Sequence, residues 1–120
     1  MRSYVSAKLH NISVTDKSLQ YDGSVGIGRD LLEAVGIDEY EQVQIINLAT
    51  GARWTTYAIA INAGRFSLNG GGARLGEFGD RCVILTYAQR ESFSPARVAY
   101  CDRGGDGQNV VIKMFNYGAT

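Results

Sequence analysis

The segment Tyr21-Asp22-Gly23-Ser24-Val25-Gly26-Ile27-Gly28 is where this sequence first suggests chemistry. Its three glycines look at first like a phosphate cradle. The order is G-x-x-G-x-G, however, which is neither the dinucleotide fingerprint G-x-G-x-x-G nor a P-loop ending in Lys-Ser/Thr. A Gly-Ser peptide bond offers a different chemistry. A serine hydroxyl can attack the carbonyl that precedes it when the backbone is held in the right geometry. Gly23 has no Cβ to obstruct the attack and tolerates positive φ. Strain imposed by the surroundings would weaken the bond further. Taken alone, a Gly-Ser dipeptide is an ordinary turn.

The other reactive side chains are few. His10 is the single histidine, so a histidine-rich metal site is excluded. A Ser-His-Asp triad would have to use His10, and no GxSxG elbow accompanies it. Cys82 and Cys101 are not spaced as CxxC, and two sulfurs cannot close a zinc site. They read as buried thiols, and no metal is expected.

The elements that must position these groups are short and mostly extended. Fifteen glycines and one proline in 120 residues suggest short strands joined by glycine turns. Residues 4–15 read as a strand. Its period of two puts Tyr4, Ser6, Lys8, His10, Ile12 and Val14 on one side and Val5, Ala7 and Leu9 on the other. Asp16-Lys17-Ser18 reads as a turn, and Leu19 to Tyr21 as a short extended piece. Residues 29–35 form a short helix stopped by Gly36. Strands are expected at 42–48, 53–61, 81–88, 98–101 and 110–114, with 53–61 the clearest. Phe66 to Leu68 is short and extended. Asn69-Gly70-Gly71-Gly72 reads as a flexible corner, and 116–120 as a frayed end. Many short strands with one small helix argue for a closed or nearly closed barrel, because closure removes exposed edges.

Composition narrows the class further. A chain of this length fits one domain, 1–120, able to bury a core without staples. Hydrophobic residues make up 45% and charged residues 20%, as in ordinary globular proteins. Twelve basic residues balance twelve acidic ones. No global field therefore favours nucleic acid or an anionic membrane. No run approaches the roughly 20 apolar residues of a membrane span, and the amino terminus lacks a signal-peptide stretch. A cytoplasmic protein is expected.

A series of motifs then sharpens the reading. Lys8-Leu9-His10, Val14-Thr15, Tyr21-Asp22-Gly23-Ser24, Arg53-Trp54-Thr55-Thr56-Tyr57-Ala58-Ile59, Leu68-Asn69-Gly70 and Gly79-Asp80 follow one another in this order. In that order and at those separations the chain resembles the bacterial aspartate decarboxylases, from about Ser6 to about Lys113. The resemblance implies a mainly β, double-psi β-barrel with one or two short helices, assembled as a homotetramer with active sites between subunits. It implies a proenzyme cut between Gly23 and Ser24 into a β-chain, 1–23, and an α-chain, 24–120. The α-chain would begin with a pyruvoyl group made from Ser24. The implied reaction is decarboxylation of L-aspartate to β-alanine and CO₂, for pantothenate and coenzyme A synthesis. Some relatives need a maturation factor. The chemistry is coherent: losing CO₂ leaves a carbanion, and a pyruvoyl carbonyl joined to the substrate amine as a Schiff base is an electron sink.

By the same resemblance, Arg53 grips a substrate carboxylate, as a guanidinium fork suits that anion. Lys8 is a second positive contact. Tyr57 returns the proton. Thr56 and Asn69 support the cleavage step at Gly23, and the amides of Gly70, Gly71 and Gly72 contribute oxyanion or carboxylate contacts. His10 and Tyr21 are wall residues. Read without the family, Lys8 and Arg53 would be surface charges and Tyr57 a packing aromatic. Arg53 and Tyr57 share a strand face but lie roughly 13 Å apart along it, so their side chains converge or come from different subunits. The sequence departs from the usual pattern at Val25, at Ile46 where relatives often carry Trp, and at Gly71 and Gly72 where relatives usually carry Ala. These leave open the strictness for aspartate over another acidic amino acid such as glutamate. A non-catalytic, uncleaved barrel is the reading from another class.

Overall fold

The computed structural model describes residues 1–19 and 23–118. The expected extended piece through Gln20 and Tyr21 therefore lies outside the described residues. The strands are β1 (Arg2–Ser13), β2 (Asp16–Ser18), β3 (Val25–Gly28), β4 (Gln42–Asn47), β5 (Arg53–Ile61), β6 (Phe66–Asn69), β7 (Arg81–Arg90), β8 (Ala96–Arg103) and β9 (Asn109–Tyr117). One helix, α1 (Arg29–Val35), follows β3, and a 3-10 helix, Gly70–Arg74, follows β6. Helix α1 buries Leu31, Leu32 and Val35. It stops where Gly36 takes φ 74°, a left-handed turn that glycine enters without a Cβ penalty.

The strands form one sheet in the order β2-β6-β3-β5-β4-β7-β1-β8-β9. β1 and β2 stand six strand spacings apart in that order, about 29 Å on a flat sheet. The chain from Ser13 to Asp16 reaches at most roughly 11 Å. The sheet must therefore be rolled, and the protein is mainly β and barrel-like. Val14 and Thr15 make the join, with Val14 N–H bonded to the Asp80 carbonyl at 3.0 Å and Thr15 N–H to the Phe66 carbonyl at 2.9 Å. Inside the roll lie the fully buried Leu9, Ile27, Ile45, Phe66, Leu68 and Ile84.

Three local readings are corrected, and the segment 25–28, given no element from the sequence, gains one. Asp16–Ser18 is a strand rather than a turn, paired in parallel with β6 and tied down by the Asp16–Arg65 ion pair. The Gly-rich 25–28 segment is a wholly buried strand. A Cβ on Gly26 would sit 2.8 Å from Ile61 Cδ1 and 3.2 Å from Ser67 Cβ, so that glycine serves close packing. The expected 69–72 corner divides instead: Asn69 closes β6 and the glycines form the 3-10 helix. Strand β9 runs through Asn116 and Tyr117, where fraying was expected.

Alternation in β1 also breaks. The register with β7 slips between His10 and Ile12, and Asn11 sits at φ 66°. This bulge turns Ile12 and Val14 into the core, 0% and 1% exposed, away from the side that Lys8 and His10 occupy.

Candidate active site

Ser24 stands directly before β3, which is wedged between β5 in parallel and β6 antiparallel. The two residues of the scissile candidate differ sharply: Gly23 is exposed, whereas Ser24 is 4% exposed. Each is gripped from a different strand. The Thr56 hydroxyl on β5 donates to the Gly23 carbonyl oxygen. Asn69, ending β6, donates from Nδ2 to Ser24 Oγ at 3.2 Å. Its backbone N–H also bonds the Ser24 carbonyl at 3.2 Å. A donor on a carbonyl oxygen polarises it and favours negative charge there. The amide on Oγ fixes where the hydroxyl sits relative to that carbonyl.

The sequence reading missed Ser67. Its hydroxyl donates to Asn69 Oδ1 at 2.8 Å, which leaves Nδ2 as the atom facing Ser24. The available signal was the alternation of β6: Ser67 and Asn69 fall on one side, alternating with the buried Phe66 and Leu68.

The remaining candidates are spread across the sheet. Running the Val25–Ala58 pairing back one residue brings Ser24 alongside Tyr57. Tyr57 is half-buried, and its ring centre lies 6.4 Å from that of Tyr40. Arg53 is exposed at the start of β5, opposite Ile46 on β4. Ile46 in turn faces Val83, and Val83 faces His10. Arg53 and His10 therefore occupy one cross-strand row, about 14 Å apart. Lys8 and His10 line a separate cleft of about 180 Å³ with Tyr100, Phe115 and Tyr117. There the His10 ring stacks on Tyr100 at 4.8 Å, and Lys8 Nζ donates to Tyr117 Oη at 3.3 Å. Burial, then the charge of Lys8, hold the His10 pKa below its ordinary 6.5. Within one chain the structure thus gathers Gly23, Ser24, Thr56, Asn69 and the adjoining Gly70–Gly72 turn, with Tyr57 alongside. It leaves Lys8 and His10 four strands away in the sheet order, and Arg53 four residues before Tyr57 on β5. Tyr21 lies outside the described residues.

Cys82 and Cys101 are both fully buried and unbonded to each other. Burial pushes each thiol up to about 12. Among the described residues no group of three His, Cys, Asp or Glu side chains is placed to hold a metal, and no helix is long and apolar enough to cross a membrane.

Known proteins resemble this chain over most of its length. Residues 1–103 match the sequence profile of the family described as aspartate decarboxylase. An aspartate 1-decarboxylase from Acaryochloris marina is 45% identical over 119 residues, covering 93% of this chain and 87% of the relative. One from Alkalilimnicola ehrlichii is 46% identical, covering 93% and 90%. One from Campylobacter jejuni is 41% identical, covering 94% and 90%. With matches of that extent running across the Gly23–Ser24 bond and both strands that grip it, the chain belongs to the aspartate decarboxylase family.

Proposed function

We propose that this chain cleaves itself between Gly23 and Ser24 and then decarboxylates L-aspartate to β-alanine and CO₂. The observation that carries the reading is the double grip on one peptide bond, Thr56 on its carbonyl and Asn69 on the serine hydroxyl. Ser24 Oγ attacks the Gly23 carbonyl carbon, and its proton passes to the departing Ser24 nitrogen. The C–N bond breaks and an ester remains, with Thr56 stabilising the oxyanion on the way. Loss of the Ser24 Cα proton and rupture of the Cβ–O bond free the Gly23 carboxylate and leave dehydroalanine. Water then releases ammonia and leaves a pyruvoyl group at position 24. The residues present fit that origin, because both partners of the bond are already held. Once formed, the group supplies the electron sink for the carbanion.

Tyr57, alongside position 24, is the proton donor to the substrate carbon in this reading. Arg53 and Lys8 bind substrate carboxylates, and His10 lines the wall. Lys8 and His10 lie four strands from β3 in the sheet order, and Arg53 lies four residues before Tyr57 on β5; in this reading a second copy supplies them, consistent with a homotetramer with shared sites. The amides of Gly70 to Gly72 close the pocket beside Asn69. A cytoplasmic location, a place in pantothenate synthesis and a possible need for a maturation factor belong to the same reading.

The test is denatured mass before and after hydrazine. Two fragments, ending at Gly23 and starting at position 24, are expected in place of one 13.0 kDa chain, and hydrazine shifts the second. Ser24→Ala is expected to stay intact and inactive; an active alanine variant would overturn the mechanism. Light scattering on the purified protein is expected to give the mass of four copies.

A further inference from the structure

Resting on that self-cleavage reading, we infer that Trp54 is a positioning residue for cleavage, and that Gly72 is the seat that lets it act. Trp54 is the only tryptophan in the chain. It lies on β5 two residues before Thr56, so both side chains leave the same side of the strand. Their cross-strand partners Ile45 and Val43 are core residues, and Trp54 itself packs against the core cluster.

The indole reaches the 3-10 helix. A Cβ built on Gly72 would lie 3.2 Å from Trp54 Nε1, 3.8 Å from Cε2 and 4.0 Å from Cδ1. The first of these is tighter than side chains ordinarily pack. A rigid ring already wedged against the core has little room to give. The turn has little room either, since Ala73 is 1% exposed and Leu75 N–H bonds the Gly72 carbonyl at 2.9 Å. Gly71 is different, because a Cβ there would meet nothing within 4 Å.

The consequence lies in what the two ends carry. One end of the contact is the strand that holds Thr56 on the Gly23 carbonyl. The other is the turn that begins immediately after Asn69, which holds the Ser24 hydroxyl. The indole against a bare glycine thus sets the spacing between the two groups that grip the scissile bond. A misplacement of about 1 Å at a reacting pair can slow a reaction roughly 100-fold, so rate is a sensitive readout of this spacing.

The experiment is a double-mutant cycle read as the first-order rate of self-cleavage of freshly made chain, by denatured mass. Gly72→Ala is expected to slow cleavage about three- to tenfold, as a strained rotamer would. Trp54→Phe, which removes the brace, slows it comparably. The double variant, with the smaller ring under the added methyl, recovers to within about twofold of wild type, the signature of two residues acting as one. Gly71→Ala slows cleavage less than Gly72→Ala. In the uncleavable Ser24→Ala chain, Gly72→Ala shifts the emission of the sole tryptophan. Single variants that cleave at the wild-type rate, or losses that multiply in the double variant, would overturn the proposal. Should Gly72→Ala fail to fold, Trp54→Phe decides alone: slowed cleavage supports the role and an unchanged rate removes it. A wild-type chain that stays intact, even with cell extract added, sinks the self-cleavage reading and this role with it. A cleaving wild type with indifferent variants sinks only the role.

Discussion

At the scale of single residues, orientation matters as much as presence. Asn69 reaches the Ser24 hydroxyl through Nδ2 while its Oδ1 accepts from Ser67, so Ser67 anchors the amide beside the serine. One neutral hydrogen bond is worth about 1 kcal/mol. Ser67→Ala is therefore expected to slow self-cleavage roughly fivefold while the melting temperature moves little. An unchanged rate would show that the amide needs no such guide. The cysteines illustrate the reverse case, with presence but no reactivity. Their thiols, buried and raised to about 12, should resist a thiol-specific reagent at pH 8 in the native protein and react fully in denaturant. His10 gives a pH signature with a definite sign. Its folded pKa lies below 6.5, so the unfolded chain takes up a proton that the folded chain refuses. Stability is complete above that value, falls as pH drops below it, and levels off once the folded imidazole protonates. Melting temperatures across pH 4 to 8 should show this decline, and His10→Gln should flatten it.

At the scale of elements, the Asn11 bulge decides which residues of β1 meet the core. Asn11 combines φ 66° with a 3.0 Å bond from Nδ2 to the Cys101 carbonyl. Asn11→Ala loses both the tolerance for that conformation and the buried bond, and is expected to cost about 2–3 kcal/mol. Asn11→Gly loses the bond alone and should cost nearer ~1 kcal/mol. Urea unfolding of the two variants would expose the difference. This same bulge explains one limit of reading the sequence. Strict alternation placed Ile12 beside His10, and nothing in the residue types announces a one-residue slip. Helix α1 and strand β5 were legible to the residue, because Gly36 stops one and branched and aromatic residues crowd the other. β3 was not, since its glycines look like a loop until Ile61 and Ser67 are seen pressing on Gly26. Within the candidate site, Ser24, Thr56 and Asn69 were reachable through family motifs. Ser67 was not, because it acts only through another side chain. Nor was the separation of Arg53 and His10 by two intervening strands, which depends on register.

At the scale of the whole molecule, the position of β1 matters most. It is hydrogen-bonded on both edges, antiparallel to β7 and parallel to β8, and it contributes Leu9 and Ile12 to the core. Under the proposed cleavage, the 1–23 fragment would carry this entire strand. The two fragments should therefore co-elute from a sizing column as one native species and part only in denaturant; a free 1–23 peptide under native conditions would contradict the placement. The cut also changes how the fold can be regained. An intact precursor refolds as a single chain, at a rate independent of concentration. The cleaved protein must recapture its interior strand from solution, so its recovery becomes second order in the fragments and fails on dilution. Processing would thus turn a reversible folding equilibrium into persistence governed by the rate of unfolding.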